Sequence, residues 1–543
     1  MRKNALAMSI ATLVGGMGFV GAASADVIVG TGAAPTSAVL GATTATQLVL
    51  AAGGIGHQLI TPYFNAQNGN ATIISVTNTD TVNGKVMKVR FRGASNSDDI
   101  LDFTVLMSPG DVWNATVTAP TTTAPAQIVT SDKTCTLPQL AAGVPQQFVT
   151  ARLTSKSGND IPNNTREGYI EIFNMADIPS TQSLYDGSAV AKQSNLYTAI
   201  KHVAGTPPCT STAINTAILD TNHTAEATAA NRGLATPTTG LFGNWTIINV
   251  PQTTTYSGSM VAVRALTAGN VDGRGNFVVF PQSATQYPGV INNVTADPVL
   301  RTANVCTSLT AANVCTAAAG LPAIPAAFFD LPDMSTPYAG AATPLIQAGT
   351  LTAALAVQTV VNEYATDAII SAKTDWVFSM PTRRYSVAMD YSPATSRRLY
   401  SQTLDPTLNL PFFHDSNTRI NTGNAQQICV DATAQTFYDR EEQTKSSGAV
   451  FSPGNISITT FCGETSVLSF ADSGVSVLGG TVARQDTSSS AFTNGWGVVN
   501  VRSGATNLGL PVMGGSFIKA TNPQVAAGQS GTYGVSSEHR FTR

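Results

Sequence analysis

The sequence predicts a mainly β protein, built as multi-strand β-sandwich-type domains with small helical insertions. Three observations carry that expectation. Short runs rich in Val, Ile, Thr and aromatic residues recur between clusters of Gly, Asn, Asp and Pro. The segment Lys85-Val86-Met87-Lys88-Val89-Arg90-Phe91-Arg92 alternates, with Lys88, Arg90 and Arg92 on one face and Met87, Val89 and Phe91 on the other, as a half-buried strand does. Helical spacing is confined to two stretches, 181–202 through Leu184, Val190, Leu196 and Ile200, and 348–364 through Leu351, Leu355, Val360, Val361 and Tyr364.

The chain opens with Arg2 and Lys3, an apolar run from Ala5 to Val20, and Ala23-Ser24-Ala25 ahead of Asp26. That order is a secretory signal peptide, residues 1–25, with Asp26 the first mature residue. No later stretch is long and apolar enough to span a bilayer as a helix. Residues 26–58, rich in Ala, Gly, Thr and Val, read as an N-terminal arm.

Residues 59–300 read as a first β-rich domain. Ala71 to Val76 is a strand, and Asn78-Thr79-Asp80 through Asn83-Gly84 is the turn that joins it to an antiparallel neighbour. Ser95-Asn96-Ser97-Asp98-Asp99 turns the chain into Leu101 to Met107, which ends at Pro109-Gly110. Further strands are expected over 147–153, 168–174, 244–250, 260–266 and 276–280, with Asp272-Gly273-Arg274-Gly275 as a hairpin connection. Residues 203–242 and 301–350, Ala-, Thr- and Pro-rich, read as extended loops, and 301–373 as a loop and helix insertion. From 374 to 543 strands return at 376–380, 385–389, 455–461, 466–470, 475–478, 496–501 and 516–520.

Six cysteines in an exported chain form three disulfides. Six cysteines allow about 15 connectivities, which the sequence alone leaves open; local order suggests Cys135 with Cys209, Cys306 with Cys315, and Cys429 with Cys462. Charged residues make up 11% of the chain, against about 25% in a typical globular protein, and the net charge is −3. That balance points away from nucleic acid and from polybasic attachment to membranes. Thr, Ser, Asn and Gln meet the water instead, as suits surfaces whose copies approach one another without repulsion.

Catalytic constellations are not selected by the spacing. The histidines His57, His202, His223, His414 and His539 stand singly, without the pair one helical turn apart that a zincin needs. No G-x-S-x-G elbow occurs. Asp102, Glu171 and Glu363 are isolated acids that a two-carboxylate glycosidase requires only when brought across a cleft. No cofactor is expected. Calcium has weak candidates in Asp98 and Asp99 and in Glu441 and Glu442, clustered oxygen ligands that match no EF-hand spacing and that a solvated turn also explains. Trp113, Trp245, Trp376 and Trp496 lie in apolar strand patterns, where core packing is expected over a sugar platform.

Two blocks carry a resemblance. Pro62-Tyr63-Phe64-Asn65 through Asn70-Ala71-Thr72, with Lys88 to Arg92 and Ser108-Pro109-Gly110-Asp111-Val112-Trp113, is similar to a group of exported, surface-layer-like cell-surface proteins of Gram-negative bacteria. Asn362-Glu363-Tyr364, Thr374-Asp375-Trp376-Val377 and Pro381-Thr382-Arg383-Arg384 resemble a second block of that group. The resemblance implies location rather than activity. The functional expectation is an exported structural or interaction protein of the cell surface, self-associating as a layer or matrix subunit. The alternatives are a secreted binding module for carbohydrate or a matrix surface, and a secreted hydrolase.

Overall fold

The computed structural model of the chain describes residues 26–150, 153, 160–181, 193–218, 225–279, 305–306, 308–309, 315–316, 344–390, 397–401, 412–441, 444–446, 459–470, 476–487, 492–503, 507–522, 524–526, 529 and 531–543. The segment 1–25, expected to be a signal peptide, lies outside that set. Strand accounts for 47% of the structure and helix for 10%, so the fold is of the expected β-sandwich type.

Four sheets make up most of it. Sheet 1 runs, in spatial order, Gln47–Leu50, Val261–Leu266, Gln58–Asn65, Glu167–Ile178, Gly84–Gly93, Asp99–Met107 and Cys135–Leu137. Sheet 2 runs Gln146–Gln147, Gln127–Val129, Val112–Thr118, Asn70–Asn78, Leu241–Asn249 and Thr254–Ser259. Sheet 3 is Arg484–Asp486, Thr465–Ser469, Lys373–Ser379, Met513–Thr521 and Thr532–Glu538. Sheet 4 is Thr444–Ser446, Ala434–Tyr438, Asn494–Asn500, Thr359–Ala365 and Arg540–Thr542.

Period-two alternation drives the layering. Met87, Val89, Phe91, Phe103 and Val105 of sheet 1 meet Ile74, Val76, Trp113, Val117 and Ile247 of sheet 2 in the first core. Each such side chain contributes about 1.5–3 kcal/mol by leaving water. The central strands of sheet 3 are buried on both faces. Val377, Val467 and Phe517 enter the first core, whereas Trp376, Phe378 and Leu468 enter a second core with Val360, Tyr364, Phe437 and Val499 of sheet 4. The outer face of sheet 1 is covered too. The helix Pro344–Leu355 lays Ala348, Leu351 and Leu355 against Ile60, Phe173 and Val263, and the helices Asn195–Ile200, Ser211–Ile218 and Glu226–Asn231 pack on Val86, Leu106 and Ile178.

Two of the expected disulfides are present, Cys135–Cys209 and Cys429–Cys462. The first ties the edge of sheet 1 to the helical layer, and the second joins directly opposed residues of neighbouring strands. The backbone of Cys306 and Cys315 lies in short strands, Val305–Cys306 and Cys315–Thr316, but their side chains are outside the described set.

Several expectations are corrected. The turn from Asn78 to Gly84 does not form a hairpin; it carries the chain from sheet 2 into sheet 1, because each strand finds a longer partner inside its own layer. Asp272 to Gly275 is not a hairpin either, since Phe277–Val279 pairs with Asp26–Ile28. Residues 26–58 supply that strand and Gln47–Leu50 to the sheets. The helix over 348–364 starts at Pro344 and stops at Leu355; β-branched Thr359, Val360 and Val361 continue as a strand, in which Val360 and Tyr364 point inward with period two. Residues 203–242 hold two helices where loops were expected. The 147–153 strand shrinks to Gln146–Gln147, and no strand forms at 476–478.

Candidate binding face

The largest departure from the sequence pattern lies on the outer face of sheet 1. Lys88, Arg90 and Arg92, expected to face water, are buried. They persist there because the neighbouring strands and the second half of the chain answer their charge. Arg90 stands in register with Glu171 on one side and Asp102 on the other. Lys88 is ion-paired with Asp102, and Arg92 places Nε 3.5 Å from Glu171 and Nη1 4.0 Å from Asp99. From above, the turn Arg383–Tyr385 inserts two arginines. Arg384 donates to both Glu171 oxygens at 2.8 and 2.7 Å, and Arg383 donates to Glu464 at 2.6 Å and to the Ile428 carbonyl at 2.8 Å. Burial lowers the Lys88 ammonium and raises the Asp102 carboxyl, with the attraction between them opposing both shifts.

This layer absorbs two of the calcium candidates. Asp98 and Asp99 are both buried, Asp99 beside Arg92. Glu441 is exposed in the turn after Ala434–Tyr438, where its N–H donates to Asp439 Oδ1 at 2.8 Å; Glu442 lies outside the described residues. Asp98, Asp99 and Glu441 are not brought into one group. Among the described residues there is no group of three or more His, Cys, Asp or Glu that could hold a metal. Asp102 and Glu171 are likewise shut inside, and only Glu363 of the isolated acids reaches the surface.

His57, His414 and His539 lie in the interior. His57 is buried between strands, accepting the Ala265 N–H at Nδ1 (3.1 Å) and facing the Gly273 carbonyl with Nε2 (3.0 Å). His539 faces Asn362 with Nδ1 and the Val377 carbonyl with Nε2. Burial pulls both rings down to about 4. His202 lies 3.1 Å from Ser108, His414 is buried, and His223 is outside the described residues.

An open site stands on the outer face of sheet 4. Along Asn494–Asn500, Val499 points into the second core and Trp496, Val498 and Asn500 point outward. Trp496 is 41% exposed, whereas Trp113, Trp245 and Trp376 are buried. Its register partners are Tyr438 on one side and Glu363 on the other, so the three form a row across adjacent strands. Trp496 and Tyr438 stack with ring centroids 4.1 Å apart and planes 5° from parallel. Two glycines permit this. A Cβ on Gly495 would lie 1.9 Å from the Tyr438 carbonyl oxygen, and one on Gly497 would lie 2.5 Å from the Phe437 ring.

The row borders an open cavity of about 570 Å³, whose lining includes Glu363, Tyr438, Asp439, Arg440 and Trp496. Its floor is rigid. Trp376 Nε1 and Ser516 Oγ both donate to the Glu363 carbonyl at 2.9 Å, and the Tyr364 hydroxyl donates to the Tyr438 carbonyl at 3.0 Å. Burial, with the charge of Asp439 adding, pushes that hydroxyl up to about 12.

Sequence reasoning assigned Trp496 to the core. The overlooked signal is Gly495-Trp496-Gly497 between two asparagines, in which the tryptophan shares a face with Asn494 and Asn500 and not with Val499. Tyr438 and Asp439 carry no such mark before the register is known. In comparison with known proteins, the chain matches no protein-family model, no curated protein and no solved structure.

Proposed function

We propose that this chain is an exported interaction protein of the cell surface or matrix that holds its ligand on the outer face of sheet 4. The exposed Trp496, stacked on Tyr438 over a hydrogen-bonded floor, carries the reading. A large aromatic ring left in water and fixed in position is a binding anchor prepared before the ligand arrives. Two disulfides support delivery to an oxidising compartment, and no helix among the described residues is long and apolar enough to cross a membrane. The direct test adds purified mature protein to cells or matrix lacking it. Trp496→Ala is expected to lower the retained fraction roughly tenfold while Val82→Ala, exposed elsewhere, is retained like the parent. Equal retention of all three proteins removes the reading.

A second reading, self-association as a layer subunit, has its own observation. Tyr533 and Val535 stand 63% and 57% exposed on the edge strand of sheet 3, on a chain that buries many of its few charges. Sedimentation velocity tests it: ordered oligomers that Tyr533→Ser/Val535→Ser disperses are the expected result, and a monomer at every concentration rejects it.

A further inference from the structure

We infer that the ligand of the sheet 4 face is an extended, uncharged polysaccharide chain; the inference rests on the binding-face reading and names its substrate class. Three features point to this chemistry. The first is the ring pair. Tyr438 covers one face of the indole, leaving the rest of Trp496 against the open cavity. A flat, apolar, immobile surface of that kind suits the C–H face of a pyranose, which stacks without needing charge.

The second feature is the set of polar groups beside the ring. Glu363 and Asp439 present carboxylate acceptors, and Arg440 a fork of donors, within the same cavity. A sugar carries hydroxyls that donate and accept at its rim, which matches a lining that holds both acceptors and donors. Charge then discriminates among candidates. With Glu363 and Asp439 lining the cavity and Glu441 next in the turn, a uronate or a phosphate placed on Trp496 meets three carboxylates against the two arginines of this face, Arg440 and Arg540. Nucleic acid stacks on tryptophan equally well but is disfavoured for the same reason.

The third feature is shape. The Tyr438, Trp496 and Glu363 row spans three adjacent strands, each about 4.8 Å from the next. Arg540 extends the same face on a fourth strand, opposite Val361. The floor is open rather than closed around a chain end, so it accepts the interior of a polymer.

Affinity electrophoresis of the purified mature protein tests the assignment, with hydroxyethyl cellulose, mannan and alginate cast separately into native gels. Retardation by a neutral polymer is expected, unchanged between about 0.1 M and about 1 M salt because no ion pair carries it. Trp496→Ala should weaken it roughly tenfold or more. Glu363→Gln, which keeps the fold and the ring pair, should weaken it less. Retardation by alginate alone, by no polymer, or equally in Trp496→Ala overturns the inference. If no neutral polymer binds yet Trp496→Ala still loses surface retention, the ligand class fails and the binding face stands. Loss of an oligomer in Trp496→Ala would show a second copy on this face and likewise overturn the saccharide.

Discussion

Arg384 donates to both carboxylate oxygens of Glu171 across 213 residues of sequence, joining the second half of the chain to the middle of sheet 1. Both groups are buried, so the pair works as a pin whose removal costs more than its presence contributes. Arg384→Met should destabilise the protein by up to about 3–5 kcal/mol, because buried Glu171 then loses its two-bond partner and keeps only the longer pair with Arg92. Adding Glu171→Gln should recover part of the loss. Denaturant titration of the two single variants and the double variant measures the coupling, and strict additivity would contradict it.

His57 makes stability depend on pH. Its neutral ring needs a bare Nδ1 to accept the Ala265 N–H, and burial holds its folded value near 4, below the ordinary 6.5. The stabilisation is complete above pH 6.5 and is lost as the pH falls toward 4, about 3 kcal/mol in all. Buried Glu167 and Asp375, whose carboxyls burial raises, act in the opposite sense. The comparison is therefore between proteins. His57→Gln should be less stable than the parent at pH 7 and should show a shallower loss of stability between pH 6.5 and 4.

Cys429–Cys462 closes a separation of 33 residues and Cys135–Cys209 one of 74. The chain-entropy relation gives about 3.7 and about 4.4 kcal/mol. Replacing either pair with serine should lower the denaturation midpoint, with the Cys135–Cys209 pair costing at least as much. Thiol labelling of the denatured, unreduced parent should modify none of these four cysteines.

Trp496 reports on its own site. Since the other three tryptophans are buried, Trp496→Phe should remove most of the fluorescence that acrylamide quenches and change stability by about 1 kcal/mol or less. Gly497→Ala should do the reverse. Its new methyl meets the Phe437 and Trp376 rings, so stability falls by about 1–3 kcal/mol while the exposed indole remains quenchable.

The layers were legible where alternation was strict and one face apolar, as in Gly84–Gly93 and Asp99–Met107. What covers a face was not. Lys88, Arg90 and Arg92 carry the pattern of a solvent face, and elements far along the chain, Arg383 and Arg384 with Glu464 among them, turn that face into an interior. Partner choice was equally hidden: Asp26–Ile28 pairs with Phe277–Val279, which no local turn announces. Periodicity also cannot separate a helix from a strand where both fit, and at Thr359 to Val361 the β-branched side chains decided it. At the candidate site the acids and the tryptophan were visible singly, but the row of Tyr438, Trp496 and Glu363 exists only in the register of three strands far apart in sequence.

The shared position of sheet 3 bears on the order in which the chain folds. Val377, Val467 and Phe517 complete a core whose other walls are made from residues 59–262. A chain emerging N-terminus first therefore carries an unfinished core until its last strands arrive, and contacts of such long sequence separation form slowly. The first core is thus sealed late, by strands from the second half of the chain, and stays incomplete in any fragment that lacks them.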